Sequence, residues 1–257
     1  PPNINFSEGA FSIIKDEKGE EEIRFGLYTI KNLGTDIADA IIAERKENGR
    51  YKSFEDFIRR VTHKNLNKKS LEALTKCGAL DDFAERGQIL GNLEEILDFH
   101  KKVIKDNSAQ HSLFDHEEIS TFNMKKCEEA SKEQKLAWEK ELLGLFVSGF
   151  PLDPWKEKIE SRKMNIEKIK AEIKEKTEVT IAVIIENIKL TITKKGDRMA
   201  LLKLRDYTNT IEVALFPESY KKYKDLVVLD IPLVIRGKVA ERNGEKTMII
   251  DEIKKLK

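Results

Sequence analysis

The chain has 257 residues, 40% hydrophobic and 36% charged, with a net charge of +1. That length accommodates about two domains with real cores, and so even a charge balance excludes the uniformly basic surface of a histone-like binder. No apolar run approaches the roughly 20 residues that a membrane-spanning helix needs.

The opening Pro1-Pro2-Asn3 is no signal peptide and, lacking Met, reads as part of something longer. Cys77 and Cys127 make neither a disulfide framework nor a zinc set, which fits a reducing cytoplasm. Alternation over residues 11–30 around Asp16-Glu17-Lys18-Gly19 predicts a hairpin, with Phe11, Ile13, Ile23 and Phe25 on one side. After Gly26 the period changes. Ile30 to Asp36 reads as a tight turn, followed by Ile37, Ile41 and Ile42 at helical spacing. Ser53 caps a helix with Phe54, Phe57, Ile58 and Val61 as its inner stripe. Asn67 to Leu80 is a further helix, with Leu71 and Leu74 inward and Gly78 at its C-terminal turn. Leu90, Leu93, Leu97 and Ile104 predict one longer helix from Gln88 to Lys105.

Residues 106–130 lose periodicity and read as a connector. Ser131, with Gln134 three residues on, restarts a helix through Leu142 and Leu143. Asp153-Pro154 reads as an N-cap followed by Pro at the first helical position, with the helix reaching Arg162. From Glu178 the pattern turns to strands. The runs 179–192, 199–205, 211–216, 231–240 and 247–253 are β-rich, with turns at Lys195-Gly196, Thr208-Asn209 and Asn243-Gly244. Pro217 to Asp225 reads as a helix between the third and fourth strands. Five strands with a helix after the third is the order of an OB-fold barrel. The fold class is therefore α+β, a helical region followed by a five-stranded barrel.

Three features carry chemistry. A tight helix–turn–helix at Leu33-Gly34 exposes backbone N–H groups at the start of the next helix, and those donors with the helix dipole hold a phosphate without reading sequence. Lys31, Leu33, Gly34 and Thr35 would make that contact. A structural αα-hairpin remains open at this turn, and the degenerate second copy near Thr75 to Leu80 reads as structural. In the barrel, Lys194, Lys195, Arg198, Lys203 and Arg205 are basic candidates for single-stranded nucleic acid, with Tyr207 and Phe216 as scarce stacking platforms. Local charge agrees in sign: residues 178–257 carry 16 Lys/Arg against 12 Asp/Glu, and residues 23–87 carry 13 against 10. Third, Gln110-His111-Ser112-Leu113-Phe114 puts two large apolar side chains in a polar connector, as a short peptide docking into a partner's pocket does. No nucleotide loop, nucleophile elbow, strand-borne Asp-x-Asp or metal-ligand spacing appears, and the four histidines read as loop or helix-surface residues.

Together these residues resemble a family. Ile23-Arg24-Phe25-Gly26-Leu27-Tyr28-Thr29-Ile30-Lys31-Asn32-Leu33-Gly34 is similar to the end of the fingers and the start of the helix-hairpin-helix region in bacterial DNA polymerase III alpha subunits. Leu71 to Leu74, Cys77 to Asp81, Leu142-Leu143-Gly144 and Ser148-Gly149-Phe150-Pro151-Leu152 resemble later segments, and Asp206 to Asn209 with Val213 to Pro217 resemble its OB domain. Asn32 and Asn209 stand where Gly is common in that family, and Phe150 stands where it usually has His. The resemblance implies that Gln110, Leu113 and Phe114 form the internal sliding-clamp-binding peptide. It implies double-stranded DNA on the hairpins and a single-stranded template or a replisome protein on the barrel. It also implies that the parent is a DNA-directed DNA polymerase whose catalytic acidic residues and Mg²⁺ lie N-terminal to Pro1. The segments expected are 1–25, the end of the fingers; 26–105, tandem helix-hairpin-helix; 106–130, the linker with the peptide; 131–177, a helical connector; and 178–257, the OB domain. A DNA ligase fragment, or an RNA-binding OB protein, is the alternative.

Overall fold

The alternation after Phe11 forms a hairpin in the computed structural model, which describes residues 1–15, 19–108, 122–242 and 244–256. Strands β1 (Ser12–Lys15) and β2 (Glu21–Arg24) pair antiparallel with Ile13 opposite Ile23. Phe11 and Phe25 meet at 4.9 Å. Those side chains share a side as expected, but it faces solvent, with Ile13 and Ile23 exposed by 69% and 75%.

The chain divides into two units, Pro1–Ser148 and Gly149–Lys257. The first is helical: α1 (Thr35–Asn48), α2 (Phe54–Arg60), α3 (Lys68–Lys76), α4 (Arg86–Gly91), α5 (Leu93–Ser108) and α6 (Lys132–Leu143). Its core takes Ile37 and Ile41 from α1, Phe57 and Ile58 from α2, Leu71 and Leu74 from α3, and Ile89 and Ile96 from α4 and α5. Each such side chain stabilises by about 1.5–3 kcal/mol on burial. The starts were readable because their caps are local. Ser53 accepts from Asp56 N–H, and Asn67 with Ser70, like Ser131 with Gln134, forms a reciprocal capping box.

Three readings change. The helix begun at Asn67 ends at Lys76, where Gly78 turns left-handed (φ 85°) and Ala79 N–H reaches back to Leu74 O. The long helix from Gln88 is two helices. Buried Asn92 breaks it by donating to Gln88 O and Lys125 O while accepting from Lys125 N–H. That exchange ties residues 122–130, read as part of a connector, along α4 and α5, where Phe122 also stacks 5.3 Å from Phe99. Finally, His100 is buried on α5, not a surface residue, and its Nε2 donates to Val61 O at 2.8 Å; burial lowers its pKa.

Helix α6 reaches both helical turns. Leu142 O accepts from Lys31 N–H at 3.0 Å beside the first. Glu139, fully buried, meets Arg86 at 3.0 Å beside the second and accepts from Val147 and Ser148 N–H. Arg86, itself 2% exposed, also holds Asp81 at 2.8 Å and Lys76 O. Burial opposes the Glu139 charge, but the amides of Ser148 and Val147 and the guanidinium outweigh it and keep the carboxyl below the ordinary Glu range.

The second unit is a closed barrel of β3 (Glu178–Ile192), β4 (Arg198–Arg205), β5 (Thr210–Leu215), β6 (Leu233–Arg242) and β7 (Glu245–Lys255), in the order β3-β4-β5-β7-β6. A helix, α9 (Pro217–Tyr223), follows β5, as read from the sequence. Burial alternates along the strands; on β4, Ala200, Leu202 and Leu204 point inward. Gly237 sits at a bulge where an added Cβ would lie 2.3 Å from Ile249 O, so the barrel closes there only around glycine. The Asp153-Pro154 start is a 3-10 turn, Asp153–Trp155, leading into α7 (Lys156–Ser161). Between it and the barrel lies α8 (Ile166–Ala171), whose Ile166 and Ile169 join the barrel core. Buried Asp206 fixes this plug by accepting from Ile166 N–H at 2.6 Å and from Thr208 and Asn209 N–H.

Glu139→Gln leaves the shape and strands part of the Arg86 charge, so urea unfolding of the helical unit at pH 7 should show a loss of about 3 kcal/mol. Because the folded pKa is depressed, that stabilisation is present above about pH 4.3 and lost as pH falls through the folded value. Wild-type and variant stabilities should converge in acid; a constant gap down to low pH would contradict the assignment.

Candidate nucleic-acid interface

At the first turn Leu33 N–H closes back on Ile30 O, and Asn32 between them adopts φ 70°. L-residues avoid that region, and Asn is among the few that tolerate it. This explains how Asn stands where the resembled family has Gly. Gly34 then serves as N-cap in extended backbone (φ −70°, ψ 151°) with no side-chain cap. The first helical bond runs from Ala38 N–H to Gly34 O. Gly34, Thr35 and Asp36 are exposed, so the first-turn amides of α1 face solvent with the positive end of the helix dipole behind them. Lys31 is exposed beside them, while Leu33 is buried and anchors the turn. Asp36 suits the dipole but opposes an incoming phosphate, which limits the strength of the site.

The second copy is built differently. Glu85 caps α4, accepting from Gly87 N–H at 2.6 Å and Gln88 N–H at 3.2 Å, and its other oxygen accepts from Ala130 N–H. Those donors are occupied. The turn at Gly78 is filled by Arg86, whose Nη2 would lie 2.4 Å from an added Cβ. One turn therefore presents amides and the other spends its polar groups on structure.

The barrel's five basic candidates separate into two groups. Lys194 and Lys195 lie in the β3–β4 turn and Arg198 begins β4, all exposed, next to Leu190 and Ile192, which are also exposed. On the outer face of β4, Lys203 and Arg205 both pair with Glu186, at 2.9 and 2.8 Å. Burial works against Glu186, but the two cations overcome it and hold its pKa low. Lys203 stands opposite Glu212 on β5, so this wall carries less free positive charge than the sequence suggests. Tyr207 and Phe216 are exposed as stacking platforms require. Sequence reading missed the surroundings of Tyr207. Its hydroxyl donates to Asp153 at 3.0 Å, its ring lies 5.2 Å from Phe150, and Lys156 approaches its face at 5.9 Å. Burial and the Asp153 carboxylate push the Tyr207 pKa up, so the phenol stays neutral and protonated. The only available signal was Phe150 itself, a departure from the resembled pattern.

Gln110, Leu113 and Phe114 lie outside the described residues. Among the described residues no group of three or more His, Cys, Asp or Glu could hold a metal, and no helix is long and apolar enough to cross a membrane.

A helical unit with one amide-presenting hairpin, followed by an OB barrel, defines a nucleic-acid-binding pair of modules. Residues 1–89 match the family described as Helix-hairpin-helix motif, and residues 179–256 match OB-fold nucleic acid binding domain. DNA polymerase III subunit alpha of Borreliella burgdorferi is 33% identical over 98% of this chain, which covers 22% of that protein. The same subunit of Aquifex aeolicus is 35% identical over 92% of the chain and 19% of its own length, and that of Thermus aquaticus 32% over 97% and 20%. The chain belongs to the DNA polymerase III alpha-subunit family and spans about a fifth of the length of these curated relatives.

Gly34→Asp tests the hairpin directly. Nothing lies within 4 Å of an added Cβ, and φ is ordinary. Asp would cap α1 and keep or raise stability by a few tenths of a kcal/mol. It would also occupy the amides and add a negative charge. Duplex DNA affinity should fall about tenfold, and the salt slope should lose roughly one phosphate's worth, about 0.9. Unchanged affinity in a titration would show that the turn makes no phosphate contact.

Proposed function

We propose that this chain is the DNA- and clamp-holding segment of a replicative, template-directed DNA polymerase. The observation that carries the reading is the order of the two modules together with 32–35% identity to one subunit along nearly the whole chain. That order, helical hairpins first and barrel last, favours it over a ligase fragment or an RNA-binding barrel.

In this reading the amides of Gly34 and Thr35, with Lys31, hold a duplex phosphate wherever the sequence places it. Hydrogen bonds from backbone donors carry no base information, which suits a protein that must travel along any template. The barrel takes the single-stranded template or a replisome protein, through the exposed Lys194, Lys195 and Arg198 and, once Glu186 is displaced, Lys203 and Arg205. Gln110, Leu113 and Phe114 insert into a sliding clamp, which tethers the polymerase to DNA. A tether raises the effective concentration of the other contacts, so several weak sites together give processive synthesis. Phosphoryl transfer and its Mg²⁺ belong to other parts of the polymerase; the residues here bind and position.

Binding of the full chain to a bacterial sliding clamp, wild type against Leu113→Ala/Phe114→Ala, tests the clamp role. Losing two anchors should cost several kcal/mol, enough to take a micromolar complex beyond detection. Equal binding by the two proteins would place the contact elsewhere, and no binding by either would remove the clamp from the proposal.

A further inference from the structure

A second surface of the barrel unit, away from the β4–β5 wall, combines an apolar floor with a ring of cations. A cavity of about 180 Å³ lies against α7 and the β3–β6–β7 wall. Its floor follows from the strand register: Ala182 on β3 stands opposite Val234 on β6, and Val234 opposite Lys254 on β7. Ile181 and Val183 point into the core, so Thr180 and Ala182 between them face out into the cavity. Ile159 and Met164 close the side from α7 and the turn after it.

Every charged residue lining the cavity is a cation: Lys158, Arg162, Lys254 and Lys255. Lys254 is held by Glu252 at 2.8 Å, and Arg236, one row along, lies between Glu178 at 3.3 Å and Glu252 at 3.6 Å. Lys158, Arg162 and Lys255 make no ion pair among the described residues. Three uncommitted cations thus surround an apolar floor. A purely anionic ligand leaves that floor without a partner, and an apolar one leaves the cations without theirs. The volume falls below the roughly 300–1,000 Å³ of pockets for drug-sized ligands, which suits a single planar ring.

We infer that this cavity takes one nucleobase of a single-stranded nucleic acid, with the flanking phosphates on Lys158, Arg162 and Lys255. The strand would then engage the barrel on the β3–β6 side as well as, or in place of, the β4–β5 face. The inference rests on the proposed nucleic-acid role of the barrel and adds a site to it.

The test is fluorescence anisotropy of the full chain with a labelled oligothymidylate and with an abasic oligomer of equal phosphate number. Wild type should prefer the thymidylate by about fivefold or more, the lower end of one base contact. Ala182→Phe fills the floor and leaves every cation in place, so it should abolish that preference. Lys158→Ala/Arg162→Ala/Lys255→Ala should weaken both oligomers and flatten the salt slope by about 0.7 for each phosphate released. Thermal unfolding confirms the fold of each variant, and Thr180→Leu serves as a second filler should Ala182→Phe fail it. Wild-type preference in a folded filler variant, or an unchanged slope in the triple variant, overturns the pocket. If those variants bind as wild type while Lys203→Ala/Arg205→Ala loses binding, the pocket falls and the nucleic-acid role of the barrel stands. If wild type binds neither oligomer, that role falls and the pocket with it.

Discussion

The helical unit turns on the buried contact between Glu139 of α6 and Arg86 at the start of α4. Removing two such ions from water costs several kcal/mol each, and a well-packed apolar pair in their place is often no less stable. Its value here is positional. Apolar stripes of neighbouring helices tolerate sliding and repacking, whereas a carboxylate shared between Arg86 and the amides of Val147 and Ser148 fits one arrangement only. The end of that same helix holds Lys31 through the Leu142 carbonyl. The turn that presents amides at α1 is therefore aligned through α6 by directional polar contacts, and the second hairpin supplies the ion that holds α6.

This division accounts for the asymmetry between the two hairpins. A helix N-terminus leaves its first four N–H groups without intrahelical partners, so each must find a cap, water or a ligand. At α4 the Glu85 carboxylate takes two of them. At α1 the cap position is glycine and the donors remain outward. One hairpin thus spends its first-turn donors on Glu85 while the other leaves them outward, a difference that follows from Glu85 against Gly34. The barrel shows a comparable division: Glu186 ties down Lys203 and Arg205, while Lys194, Lys195 and Arg198 stand in solvent at the β3–β4 end. Under the proposed function an arriving phosphate would compete with Glu186 at the wall, whereas among the described residues no ion pair engages Lys194, Lys195 or Arg198 at the turn.

Much of this was legible in the sequence because the signals are local. Caps at Ser53, Asn67 and Ser131 and the five strand runs with the helix after the third all read correctly within a few positions, and the polymerase III resemblance agrees with the relatives the chain matches. The features that escaped depend on partners far along the chain. Asn92 breaks a helix because it meets Lys125. Ile166 and Ile169 plug the barrel because Asp206 grips the start of α8. His100 is buried because Val61 O waits for its ring. Nothing in the neighbourhood of these residues announces those partners. The basic candidates on β4 illustrate the same limit, since their positions followed from periodicity but their pairing with a bulged Glu186 did not.

Amide hydrogen exchange of the full chain, with and without a primed-template DNA carrying a single-stranded overhang, distinguishes a DNA-holding α1 turn from a purely structural one. Exchange should slow at the amides of residues 34–37, stay unchanged at those of Gly87 and Gln88, and slow in the barrel only when the overhang is present. Protection at the α4 start in place of α1, or DNA binding that leaves the α1 amides as they were, would contradict it.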